Sequence, residues 1–148
     1  MEKLEKSREI WFDMDGTIAD LYGVKNWLYE LRHDNEHPYK AARPLVNMQA
    51  LARVLNRLQK QGYKIGVISW LSRGGSAEYG ERVKAAKLGW LRQHLASVHF
   101  DKIDIVPHGE PKEHGRAGIL FDDEEKNRKN WHGDAYDEKN IIKILRTL

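Results

Sequence analysis

The sequence predicts an α/β protein with a mostly parallel sheet flanked by helices. Three observations carry that expectation: short apolar runs that each end on a polar residue, helical apolar stripes between them, and no linker-like tract anywhere in the 148 residues. A chain of this length suits one compact domain spanning 1–148, since domains cluster around ~100–150 residues.

The elements follow in order. Ile10-Trp11-Phe12 runs into Asp13, and Ile65-Gly66-Val67-Ile68 runs into Ser69. Ile103 to Val106 runs into Pro107-His108, and Ile119-Leu120-Phe121 runs into Asp122-Asp123. Continuous β-branched and aromatic runs of this length read as buried parallel strands. A short fifth strand is expected near Ala135-Tyr136. From Pro44 to Gly62, Leu45, Met48, Leu51, Leu55 and Leu58 recur at helical spacing, with Pro near the start and Gly at the end. From Glu78 to about Ala96, Val83, Ala86, Trp90 and Leu95 make a second stripe. From Asp137, a plausible N-cap, Ile141, Ile144, Leu145 and Leu148 mark a closing helix. Strands alternating with helices imply right-handed crossovers. In such open sheets ligands bind beyond the carboxyl ends of the strands. Asp13, Ser69, Asp122 and Asp123 are therefore expected to converge on one crevice.

Composition excludes several classes. With no cysteine, disulfides and thiolate metal sites are ruled out. No run approaches the ~20 apolar residues of a membrane span. Met1 to Ile10 mixes charges without a signal-like apolar stretch, so the reading is cytoplasmic, with no membrane partner. The net charge of +3 favours the approach of anionic substrates without marking a nucleic-acid binder.

The chemistry-bearing residues begin at Asp13-Met14-Asp15-Gly16-Thr17. Two carboxylates two apart share a face of an extended chain, and the bend at Gly16 lets them diverge. Magnesium takes hard oxygens from one or two carboxylates plus substrate phosphate. A carboxylate is also a competent phosphoryl acceptor, and a neighbouring carboxylic acid can protonate the leaving oxygen and later deprotonate water. Ser69 offers a hydroxyl to a phosphate oxygen. Asp122 and Asp123, adjacent acids leaving a buried strand, repel one another unless a cation lies between them. A lysine would neutralise charge in the transition state. Lys112, ten residues before Asp122, is the leading candidate, with Lys84 and Lys87 also open.

Taken as a set, the order DxDGT, strand-end Ser, Lys and strand-end Asp-Asp resembles the haloacid dehalogenase (HAD) superfamily of phosphohydrolases. Asp13-Met14-Asp15-Gly16-Thr17 matches its first motif, Ser69 its second, Lys112 its third and Asp122-Asp123 its fourth. The spacing from Lys112 to Asp122-Asp123 and the stretch Lys87-Leu88-Gly89-Trp90-Leu91 are similar to the 5′(3′)-deoxyribonucleotidase branch. Two departures stand out. Serine replaces that branch's usual threonine at 69, and about 21–43 leaves room only for a small cap, with Val24 to Leu31 its stronger helix.

The resemblance implies a Rossmann-like core with strand order 5-4-1-2-3 and a small helical cap insert. It implies a magnesium-dependent phosphomonoester hydrolase working through an aspartyl-phosphate on Asp13, on a small phosphorylated substrate such as a (deoxy)nucleoside monophosphate. Asp15 would act as general acid and then general base. Magnesium (Mg2+) would be held by Asp13, the Asp15 backbone carbonyl and Asp122, with Asp123 assisting directly or through water. Ser69, Lys112 and backbone amides near Met14 and Asp15 would hold the phosphoryl oxygens. Apart from the resemblance, Trp70, directly after Ser69, and Arg73, in the loop that follows, are candidate substrate contacts.

Two alternatives stand beside it. One is a phosphatase of nucleic-acid ends, given a small cap and a basic chain. The other is a phospho-accepting signalling module, although receivers carry their acidic pair on the first strand and here it comes last. Monomer and homodimer are both compatible with the sequence. The pairs His33/His37 and His108/His114 lack a third ligand at metal-site spacing and read as surface or loop residues. Ser72-Arg73-Gly74-Gly75-Ser76 lacks the Walker ending and reads as a mobile loop near the site.

Overall fold

The computed structural model describes residues 8–148, so the expectation for the first seven residues lies outside the described part. Five strands, β1 (Glu9–Phe12), β4 (Lys64–Trp70), β5 (Lys102–Val106), β6 (Ile119–Phe121) and β7 (Ala135–Tyr136), form one sheet in the order β5-β4-β1-β6-β7. Every neighbouring pair in it is parallel. Two further strands, β2 (Ala19–Asp20) and β3 (Arg43–Pro44), make a separate antiparallel ribbon. Numbered along the chain, the observed order differs from the predicted 5-4-1-2-3, because this ribbon was not foreseen. With the ribbon left out, the five sheet strands counted in chain order read 5-4-1-2-3 from the β7 edge. The architecture is Rossmann-like α/β.

The inner strands β1, β4 and β6 are largely apolar because both sheet faces are covered there, whereas the edge strand β5 is only partly buried and carries Lys102 and Asp104. In β1, Ile10 and Phe12 pack on one face with Leu51, Leu55 and Leu58. Trp11 points the other way, to Ile68, Leu120 and Trp131, as period-2 alternation requires. Trp11 lies opposite Gly66 in the register, and a Cβ at Gly66 would stand 2.6 Å from its ring. A glycine here is a space for the indole, not a turn signal.

Helices α3 (Met48–Lys60) and α4 (Ala77–His94) match the two stripes but start differently. Pro44 belongs to β3, and Leu45 N–H donates to Ile18 C=O at 2.9 Å. The helix therefore starts later, where the Asn47 side chain caps Ala50 N–H at 3.0 Å. Ser76 caps α4 in the same way through Tyr79 N–H. The closing helix α6 spans only Ile141–Leu145, and Asp137 does not cap it; its carboxylate accepts from Lys139 N–H two residues on. The short helix α5 (Glu125–Asn130), Glu-Lys-Asn-Arg-Lys-Asn, has no apolar stripe to announce it. The insert holds a 3-10 turn (Leu21–Gly23), α1 (Trp27–Arg32) and α2 (His37–Ala41). Among the described residues no helix is long and apolar enough to cross a membrane.

Candidate active site

The site forms where β1, β4 and β6 end side by side. Asp13 N–H continues the ladder by donating to Phe121 C=O at 2.9 Å, which aligns the first acid with the strand carrying the last two. The chain then turns sharply. Thr17, Ile18 and Ala19 N–H groups all approach the Met14 carbonyl, at 3.1, 3.0 and 2.9 Å. Gly16 takes φ +82°, and a Cβ there would stand 2.4 Å from Asp123 Oδ2 and 2.8 Å from the Tyr22 ring. Only glycine allows both that backbone angle and that approach.

Ligand-capable oxygens of Asp13, Asp122 and Asp123 lie within 4.8 Å of one another. Acids 109 positions apart in the chain thus form one cluster that could hold a cation. Lys112, 3% exposed, bridges two of them, donating to Asp13 Oδ1 and to Asp122 Oδ2 at 2.8 Å each. Thr17 completes the frame. Its hydroxyl accepts from Asp123 N–H at 3.0 Å and donates to Asp13 Oδ2 at 2.8 Å. Asp122 is further fixed by Glu124 N–H at 2.9 Å and Asn127 Nδ2 at 3.1 Å.

One lysine cannot balance three acids, and the proton affinities record the imbalance. Burial, followed by the charge of Asp13, pushes Asp122 up to about 6, despite its bonds from Lys112 and Glu124 N–H. Burial also dominates at Asp123; with a hydrogen bond to Asp13 and the charges of Asp13 and Asp122, it lifts this acid to about 8. Burial alone would lower the Lys112 pKa, but Asp13 and Asp122 outweigh it and hold the ammonium charged, above its ordinary value. Hard carboxylate oxygens crowded at this spacing fit the ligand preferences of a divalent cation such as magnesium.

The second acid of the motif stands apart. The Asp15 side chain is directed not into the cluster but to Lys87, whose Nζ donates to Oδ2 at 2.8 Å. Burial raises the Asp15 pKa above the usual carboxylate value, more than the Lys87 charge lowers it. Lys87 is only 1% exposed and also donates to Ser69 Oγ and to the Trp70 carbonyl, both at 2.6 Å. Of the candidate lysines, Lys112 and Lys87 both enter the site, while Lys84 is exposed on the outer face of α4. Ser69 lies within β4, one residue before its end, and is fully buried, holding Lys87.

A cleft of about 380 Å³ opens over these groups. Asp13, Asp15 and Lys112 line its buried end, and Tyr22, Trp27, Tyr39 and Trp70 supply aromatic walls. Arg32 and Arg73 line it from exposed positions. Trp70 is held by its Nε1–H donating to Glu110 C=O at 2.8 Å, and Lys112 Nζ lies over its ring, 4.9 Å from the centroid. His108 tilts against Trp70 at 4.9 Å and lines the cleft, although its sequence context suggested only a loop residue. The other histidine pair, His33 and His37, is exposed on the insert.

Sequence reasoning missed the Thr17 frame, the Asn127 bond to Asp122, and the Arg116 brace. Arg116 donates to Asp104 at 2.8 and 3.0 Å and to the Lys112 carbonyl at 3.2 Å, so it pins the loop that delivers Lys112. Lys87 had a readable signal. It sits on the Val83, Ala86, Trp90 stripe, and a lysine on a buried stripe demands a carboxylate partner.

No protein-family model matches this chain, and no curated protein matches it either.

Proposed function

We infer that the chain is a magnesium-dependent phosphomonoester hydrolase of the HAD type, working through an aspartyl-phosphate on Asp13. The observation that carries this reading is the meeting of Asp13, Asp122 and Asp123 around a common point, bridged by Lys112, at the end of a parallel sheet. Magnesium would be held by these three carboxylates with the Asp15 backbone carbonyl, and when bound it supplies positive charge to the phosphoryl oxygens and to the crowded acids.

The chain's own groups would do the rest. An Asp13 carboxylate oxygen attacks phosphorus as the bond to the leaving oxygen breaks. Asp15, kept prone to protonation by burial, passes its proton to that oxygen, releasing the alcohol. Asp15, now ionised, takes a proton from water as the water oxygen attacks phosphorus, which frees phosphate and restores Asp13. Lys112, charged and buried, stabilises the added negative charge. The aromatic walls of the cleft suit a substrate with a flat body, and its volume lies near the lower end of the range for small-molecule pockets. A (deoxy)nucleoside monophosphate meets both conditions. A receiver that stores phosphate has no use for an acid at 15 beside the acceptor, which disfavours the signalling reading.

The test is phosphate release over a panel of phosphomonoesters, with and without magnesium. The expected outcome is metal-dependent turnover, abolished by chelator and lowered roughly 10⁴-fold or more in Asp13→Asn, as for loss of a nucleophile. Unchanged turnover in Asp13→Asn would contradict it. A panel including a 3′-phosphorylated oligonucleotide separates the nucleic-acid-end reading, which would bring a steep salt dependence.

A further inference from the structure

We propose that Lys87, anchored on Ser69 Oγ and the Trp70 carbonyl, is a strut that positions Asp15 and does not itself contact the substrate. The assignment rests on the phosphohydrolase reading above and adds to it a division of labour between the two buried lysines.

An ammonium has three N–H donors, and all three of Lys87 are used. Two go to consecutive residues of β4, Ser69 Oγ and the Trp70 carbonyl, at 2.6 Å each. The third goes to Asp15 Oδ2 at 2.8 Å. The remaining side is covered by the Tyr39 ring, 4.9 Å from Nζ. A lysine so saturated has no donor left for a phosphate. Lys112 differs: it reaches the nucleophile itself, with Asp13 Oδ1 at 2.8 Å, and it lines the cleft, which Lys87 and Ser69 do not.

The arrangement also determines which Asp15 oxygen works. With Oδ2 tied to Lys87, Oδ1 is left to carry the proton to the leaving group. Because lysine only donates, Ser69 Oγ accepts from it and keeps its own O–H as a donor. The rigid strand end is thereby connected through one cation to the general acid, on the far side of the motif from the metal-ligand cluster. An acid held within a few tenths of an ångström of its working position is what proton transfer in the transition state requires.

Leaving-group dependence tests this. Dinitrophenyl phosphate departs without a proton, whereas an alkyl phosphate needs one. If Lys87 acts through Asp15, Lys87→Met should lower kcat/KM on the alkyl phosphate by about 10²-fold, and at least about tenfold less on dinitrophenyl phosphate. Both substrates meet the same active sites, so the ratio does not depend on how much of a variant is folded. Equal losses on the two substrates in Lys87→Met would overturn the assignment. A wild-type protein that hydrolyses neither ester overturns the phosphohydrolase reading and this assignment with it. A wild-type protein active on both, with Lys87→Met of unchanged selectivity, overturns this assignment alone.

Discussion

The acid-bearing end of the sheet and the insert at 21–42 sit across the same cleft and are built on opposite principles. At the sheet end, each working side chain leaves a buried strand or its loop, and its partners come from a different strand: Asp13 from β1, Asp122 from β6, Lys112 from the loop between β5 and β6. The insert has two helices of six and five residues, too short to persist on intrinsic propensity. It is held from outside. Tyr79 O–H donates to Asn35 C=O at 3.0 Å, Arg82 donates to Glu36 and Asp34, and Trp90 Nε1–H donates to Ala42 C=O at 2.8 Å. The contrast is one of attachment: the acid cluster is fixed by the sheet itself, whereas the insert is fixed to α4 by side-chain bonds and by Leu21 and Tyr39 packed with Tyr79, Val83 and Ala86.

Three perturbations sharpen that contrast, from the largest expected effect to the smallest. Lys112→Met leaves Asp13 and Asp122 buried without their shared cation, and breaking a buried ion pair in this way costs about 3–5 kcal/mol. Chemical denaturation should show that loss together with a collapse of turnover, and a variant as stable as wild type would place the sheet end's stability elsewhere.

The second concerns pH and magnesium. Aspartates in an unfolded chain ionise near ~3.9, whereas Asp122 and Asp123 in the native chain hold their protons to about 6 and about 8 without metal. The native state therefore binds more protons than the unfolded state across that window, and these two groups make stability fall as pH rises through it. A bound divalent cation opposes the same repulsion and adds its own mass-action stabilisation. The rise in Tm on adding magnesium should thus be larger at the alkaline end of the window than at the acidic end. Melting curves that respond equally to magnesium at both ends would contradict the crowding of these acids.

The third is Tyr79→Phe, which removes one bond from the insert's fastening and should cost about 1 kcal/mol. Amide exchange should accelerate selectively in 21–42, and the KM for bulky substrates should change more than the rate on dinitrophenyl phosphate. Uniform exchange across the molecule would show that the insert and the sheet unfold together.

The same contrast decides what was legible in the sequence. Strand runs ending at Asp13 and Asp122-Asp123 were readable because the apolar run stops where the strand does, whereas Ser69 ends its apolar run one residue before β4 itself ends. The aspartates' convergence followed from the parallel topology. Thr17 could be quoted but not given a role, because a hydroxyl that bonds Asp13 and Asp123 at once depends on the turn at Gly16. The ribbon of β2 and β3 was invisible: two-residue strands carry no periodicity, and Pro44 read naturally as a helix start. Asp137 looked like an N-cap for the same local reason, whereas its bond goes to Lys139 N–H. The division between Lys87 and Lys112 required coordinates, since only the count of occupied donors distinguishes a positioning lysine from one that meets the substrate.

The central claim is that Asp13 accepts the phosphoryl group. Acid-quenched protein, taken during turnover of a phosphomonoester in magnesium, should yield a phosphorylated peptide that carries Asp13, discharged by hydroxylamine and lost in Asp13→Asn. Steady phosphate release with no label on that peptide at any quench time, or with the label on another residue, would contradict the account.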